Sequence, residues 1–371
     1  MPLTRHLYEL DEVISALQTC LRRNWPRAHF WTWELVQSSE ETIAFSTIYQ
    51  TWLEYGGSRF YSQITKPSTP LGWSTLVLHV GYACRSTVGA LPLLNEAATQ
   101  QNPPTIETAT STPTPKPFLT AAAKELGDLK QITRIWKTLH AAVATKNVRA
   151  ALWILQALHP ILSSDTIWLA IAALSPATTW FHKNATAHTE SQILHQANAL
   201  IAACVEPAVL PEDAPAIEHY VRDWGKWSAI VGRRAARIHE IPTEALHRET
   251  TRGRIPSKYT NIEEVRDPAA ELINGCTWWR EQVAAMGIHI DDEGAVVFPS
   301  DDVLEAFYDR YFPDDIPDEW STRDQQKSHG RGCADTAPAP PPILVIREEP
   351  VDEEFWNPLG LESKMAALAV V

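Results

Sequence analysis

Apolar residues at Leu10, Val13, Ile14, Leu17 and Leu21 recur at the three- and four-residue spacing that puts them on one stripe of a helix. Asn24 and Pro26 supply a break and a helix start, and Ala28, Trp31 and Leu35 continue the spacing. The pattern predicts a helical hairpin. A second is predicted about 122 residues further on, where Leu129, Ile132, Trp136, Leu139 and Val143 lead into Ala150, Trp153 and Ala157. The joins also correspond, Arg27-Ala-His-Phe-Trp31 aligning with Arg149-Ala-Ala-Leu-Trp153, each after a turn containing Asn. Such a pair fits a duplication, and it equally fits the physical sameness of amphipathic hairpins.

A third helical pattern is charge-segregated. With Arg222 at zero and 100° per residue, Ile217, Tyr220, Val221, Trp224, Trp227, Val231, Ala235 and Ile238 fall within about 60° of a common direction. Arg222, Lys226, Arg233 and Arg237 lie on the opposite side, and Arg234, Arg248, Arg252, Arg254 and Lys258 continue the positive charge. Regularly spaced cations of this kind can replace the counterions condensed on DNA or RNA phosphates. The same pattern also describes a solvated helix face. A third reading is intramolecular, because Asp291, Asp292, Glu293, Asp301, Asp302, Glu305 and Asp309 follow closely enough to cover the basic stripe in a salt-sensitive contact. Ser300 is placed to cap a helix there, with two acids at the positive end of its dipole.

Segment 101–117 is rich in Pro and Thr and nearly free of large apolar residues, so it cannot offset its ordering entropy, and a comparable change after Trp320 brings Ser328-His-Gly-Arg-Gly and Ala337-Pro-Ala-Pro-Pro-Pro342. The expected architecture is all-α. It has an N-terminal helical subdomain (1–100), a linker (101–117), a helical subdomain (118–320) with the basic helix (217–258) and acidic region (291–320), and a disordered tail (321–371).

A net charge of −13 sets the whole chain against nonspecific nucleic-acid binding, so any such contact must be local. Five scattered cysteines with no Cys-x-x-Cys pair read as reduced thiols. With an acidic amphipathic start and no apolar run near the length of a membrane span, the chain is expected inside the cell, nuclear or cytoplasmic, away from membranes. Phosphate loops, dinucleotide fingerprints, nucleophile elbows and metal-helix motifs are missing. His182, His188 and His195 are six and seven apart and read as surface or capping residues, while Asp302, Glu305 and Asp309 share a helical face without a nearby His or Cys. The expectation is a protein that is not an enzyme and takes no cofactor or metal.

Three resemblances add to this. The motif Ile241-Pro242-x-x-Ala245-Leu246-x-x-x-Thr250-x-Arg252-Gly253 resembles the C-terminal helical collar of clamp-loader-like AAA+ ATPases of the replication-associated recombination type. Leu17-x-x-Cys-Leu-Arg-Arg-x-x-x-x-Ala28-x-x-Trp31-x-x-Glu-Leu35 and Cys84-Arg85 echo the same family, in scattered pieces over about half the chain. The chain is also similar to uncharacterised proteins of large DNA viruses. The ATPase module is missing, so the resemblance implies a non-catalytic helical accessory protein of DNA replication or recombination, with a backbone turn at Gly253 and an anion contact at Arg252. DNA backbone, protein partners and self-association are the implied partners, and a structural interaction protein such as a virion component is the alternative. In the tail, Ile343-Leu344-Val345-Ile346 followed by acids resembles a SUMO-interacting motif, and it also suits a strand docking on the chain's own core through Phe355 and Trp356.

Overall fold

The computed structural model describes residues 2–86, 89–100, 104–106, 112–185, 192–205, 217–228, 241 and 268–311. It is mainly helical, as the periodicity predicts. The described residues gather into two compact units, one drawn from 2–49, 66–81 and 217–311, the other from 50–65 and 82–205. This grouping differs from the sequence-order division at 101–117, because each unit takes helices from both sides of that segment. The expected tail, 321–371, lies outside the described residues.

In the first unit, α1 (Leu10–Arg22) and α2 (Arg27–Gln37) form the first hairpin. Val13, Leu17 and Leu21 are buried along one stripe of α1. The helix closes on Asn24 in the left-handed region (φ 51°), where the Trp25 N–H donates to Cys20 O (2.8 Å) and the Asn24 N–H to Leu21 O (3.0 Å). Helix α2 buries Ala28, Trp31 and Leu35 as expected, and also His29, Thr32, Trp33 and Glu34. The remaining helices of the unit are the first parts of α3 (Glu41–Tyr55) and α4 (Pro70–Ser86), and a C-terminal lobe described below.

In the second unit, α5 (Ala90–Thr99), α6 (Lys116–Leu126), α7 (Leu129–Ala144), α8 (Val148–Leu158), α9 (Ser164–Ala172), α10 (Thr178–Ala185) and α11 (Gln192–Cys204) are arranged with α8 and α11 innermost. Burial runs without a break from Ala150 to Leu155 and from Leu194 to Ile201, which is the mark of a helix covered on all sides. His195 is fully buried within α11, correcting its expected surface position; His182 is exposed and His188 lies outside the described residues. Leu129, expected on the apolar stripe of α7, is 56% exposed, because Asp128 caps the helix and the buried stripe begins at Ile132.

The expected linker is partly structural. Lys116 and Pro117 open α6, with Pro in the first turn where its missing N–H costs nothing. Thr112 O accepts from Trp136 Nε1–H (3.3 Å), and Thr105 O accepts from Asn147 Nδ2–H (3.3 Å). The second hairpin, α7 and α8, closes as the first does. Lys146 is left-handed (φ 56°), the Asn147 N–H donates to Ala142 O (2.8 Å) and the Lys146 N–H to Val143 O (2.9 Å). Asn147 then caps α8 by accepting from the Ala150 N–H (3.0 Å).

Helix α12 (Glu218–Ser228) returns to the first unit, whose C-terminal lobe comprises α13 (Pro268–Ile273), α14 (Thr277–Ala285), a two-stranded antiparallel hairpin of β1 (His289–Ile290) and β2 (Val296–Val297), and α15 (Asp301–Tyr311). Leu272, Trp279, Val283 and Phe307 form the lobe's core together with Leu3 and Leu7 from the other end of the sequence. The Val303 N–H reaches Ser300 Oγ (3.3 Å), which places the expected cap at the start of α15. Cys20, Cys84, Cys204 and Cys276 form no disulfide among the described residues, and Cys333 lies outside them. Among the described residues no helix is long and apolar enough to cross a membrane.

Candidate nucleic-acid interface

Helix α12 is the described part of the predicted basic helix, and it packs on α2. Trp224 is buried and meets Trp33 edge to face (6.3 Å, 74°), while Tyr220 stacks on His29 (3.9 Å, 12°). Arg222 and Lys226 are exposed. Lys226 Nζ lies 3.1 Å from Asp223 Oδ1, a pair exposed enough to be worth little and to release its cation readily.

The neighbouring hairpin tip adds positive charge that the periodicity of α12 does not announce. Arg22, Arg23 and Arg27 are exposed, and the Arg23 guanidinium lies 4.8 Å from the Trp25 ring centroid. A recess of about 200 Å³ opens where α2 meets α12, with Arg27, Phe30 and Tyr220 on its wall. Trp224 also lines it, and its indole N–H is buried with no hydrogen-bond acceptor among the described residues.

What holds α12 against α2 is a charged pin from the N-terminal segment. Arg5 Nη1–H donates to Gln37 Oε1 (2.6 Å) at the end of α2, and Nη2–H donates to Ser228 O (2.6 Å) at the end of α12. A guanidinium suits the end of α12, because backbone carbonyls at a helix C-terminus lack intrahelical donors and carry partial negative charge, while at α2 it meets the side-chain amide of Gln37. The Arg5 guanidinium carbon lies 4.7 Å from the Trp278 ring centroid, and the Arg5 backbone N–H reaches Ser38 Oγ (2.9 Å). Burial pulls the Arg5 guanidinium below its ordinary value, against the opposing charge of Glu34.

Next to Arg5, His6 fixes the segment to α2. The His6 backbone N–H donates to Glu34 Oε1 (3.0 Å), and His6 Nδ1 lies 2.5 Å from Glu34 Oε2, both side chains being buried. Burial alone would raise the Glu34 carboxyl; the His6 charge and hydrogen bonds from His6 and Thr4 outweigh it and leave the group below its ordinary 4.5. From the other side, α14 closes the arrangement. The Trp278 N–H donates to Ser38 O (3.0 Å), the Thr277 N–H to Glu40 Oε1 (2.8 Å) and Trp279 Nε1–H to Thr4 O (2.8 Å). The buried Cys276 thiol is pushed up to about 11 by that burial, so it stays protonated near neutrality.

Of the sequence-predicted cations, Arg222 and Lys226 are placed together on the exposed side of α12. Arg233, Arg234, Arg237, Arg248, Arg252, Arg254 and Lys258 lie outside the described residues. So do Pro242, Ala245, Leu246, Thr250 and Gly253 of the collar-like motif, Ile241 being described alone and half-buried, and Ile343, Leu344, Val345 and Ile346 of the tail. Among the described residues, no group of three His, Cys, Asp or Glu side chains is placed to hold a metal ion. No family model, curated protein or solved structure matches this chain.

Proposed function

We propose that the chain is a non-catalytic helical accessory protein of DNA replication or recombination, working inside the cell, that contacts the phosphate backbone through the face formed by α12 and the tip of the first hairpin. The observation that carries this is the exposed set Arg22, Arg23, Arg27, Arg222 and Lys226 beside Trp25 and the α2–α12 recess. Cations offer salt-sensitive affinity for phosphates, and exposed aromatic faces offer stacking to unpaired bases. The collar-like motif that follows α12 supports the same role. A face of this kind gives a molecule of net charge −13 one local route to a polyanion.

The test is fluorescence anisotropy of the full chain with single-stranded, duplex and forked DNA across a salt series, beside an Arg27→Glu/Arg222→Glu/Lys226→Glu variant. Binding is expected to fall steeply with salt, and the slope of log K against log salt should drop by about 1 for each phosphate contact removed. An identical slope in the variant would sink the reading. A protein-interaction role is the second reading, favoured by the aromatic lining of the recess, where Phe30, Trp33, Tyr220 and Trp224 offer a partner side chain an apolar seat. DNA-independent self-association abolished by Trp224→Phe would favour it.

A further inference from the structure

The second unit contains a cleft of about 320 Å³, within the size range of small-molecule sites, roughly 300–1,000 Å³. Its wall comes from four places in the chain: the loop 58–63 after α3, the Lys146 turn between α7 and α8, Pro176 and Ala177 ahead of α10, and the end of α11 at Ala202–Val205. Arg59 and Lys146 both line it, and among the described residues of the wall none is acidic. The Cys204 thiol adds no negative charge near neutrality, because burial pushes it up to about 11.

Three features make this wall suited to an anion. Arg59 Nε is a buried donor that meets no acceptor among the described residues, and such a group is costly unless something else satisfies it. Ser58, Tyr61 and Ser62, each carrying a hydroxyl, line the same wall as the two cations. The loop is also held in an uncommon form, with Ser58 (φ 65°) and Phe60 (φ 58°) left-handed and the Arg59 carbonyl accepting from Trp52 Nε1–H (2.6 Å). Left-handed non-glycine residues cost energy and recur where a loop must present its groups in one direction.

We propose that this cleft binds a phosphomonoester of a small molecule, its dianionic phosphate held by Arg59 and Lys146 and its organic part lying against Tyr61. Two cations and several hydroxyls match a group with two negative charges and three acceptor oxygens better than a carboxylate with one charge and two. A nucleic-acid backbone carries one charge per phosphate and calls for an open groove. The inference concerns the second unit alone and is independent of DNA binding by the first.

The experiment is isothermal titration of the full chain, at constant ionic strength, with inorganic phosphate, adenosine 5′-monophosphate and adenosine. Saturable binding of both phosphates and none of adenosine is expected, with Arg59→Gln weakening each by at least about tenfold. Ser62 is exposed, so Ser62→Asp brings a negative charge to the wall without touching the core and should weaken binding comparably, with an unchanged circular dichroism spectrum. The proposal is overturned by absent saturable binding of adenosine 5′-monophosphate, by equal binding of adenosine, or by undiminished affinity in Ser62→Asp.

Discussion

The two helical hairpins end their first helices in the same way and use their second helices differently. In both, the first helix closes on a left-handed residue, Asn24 or Lys146, with the same pair of backbone hydrogen bonds. The spacing of about 122 residues read from the apolar pattern therefore carries over to individual hydrogen bonds. It continues at Pro70 and Gln192, which open α4 and α11 at that separation. Beyond the joins the hairpins part. Helix α8 is apolar along its buried length, and its neighbours are helices of its own unit. Helix α2 buries polar groups as well, Glu34 beneath His6 of the N-terminal strap and His29 beneath Tyr220 of α12, while α14 closes on its end at Ser38. The same local grammar thus serves an inner core helix in one place and a polar docking element in the other.

The largest test of the shared part is Trp31→Ala against Trp153→Ala. Both indoles are fully buried at corresponding places, and each truncation should cost about 3–5 kcal/mol in denaturant titrations. A loss under about 1 kcal/mol in one of them would break the correspondence.

The divergent part is sharpened by Glu34 and Gln156, which occupy corresponding places in the two hairpins. Glu34→Gln should cost about 3 kcal/mol, since His6 loses the carboxylate that accepts its N–H groups. Gln156→Leu should be neutral or stabilising, because its Oε1 is buried with no partner among the described residues. The Glu34 carboxyl lies below its ordinary 4.5 when folded, so its contribution is fully present above that value and is lost as pH falls through the lower folded value. The stability difference between wild type and Glu34→Gln should therefore shrink on acidification below about pH 4.5. A difference constant down to about pH 2 would remove the charged form from the account.

The smallest effects belong to the turns. Glycine has no steric penalty at positive φ, so Lys146→Gly should stabilise by about 0.5–1 kcal/mol, and Asn24→Gly by less, because Asn already tolerates that region. Thermal midpoints of the two variants would show the ordering, and a destabilising Lys146→Gly would mean that the ammonium contributes more than the backbone gains.

Much of the helical layout was legible in the sequence because apolar periodicity is local. Val13, Leu17 and Leu21, or Trp136 and Leu139, announce their stripe within two or three turns. The two Asn-containing turns were legible as breaks, while the different roles of the asparagines were not: Asn24 takes the left-handed position and Asn147 caps the next helix. The Trp224 and Arg222 faces of α12 were readable from 100° geometry. The pin that seats α12 was not, because nothing near Arg5 says that its guanidinium will meet Gln37 and Ser228. Likewise nothing in the sequence around Gly89 says that a Cβ there would overlap the Tyr55 backbone and the Glu54 carbonyl. Close approaches and long-range polar pairs leave no periodic trace.

The seat that Leu3, Thr4 and Ser38 make for Cys276, Trp278 and Trp279 also fixes an order of events. A ribosome adding about 5–20 residues per second leaves an interval on the order of tens of seconds between emergence of the two sides. During that wait the buried positions of α2 have no cover, and closing so long a loop makes the last step slow. The first unit therefore matures after its chain has been made, and chaperone capture of nascent chains halted before Pro268 would register the exposed face.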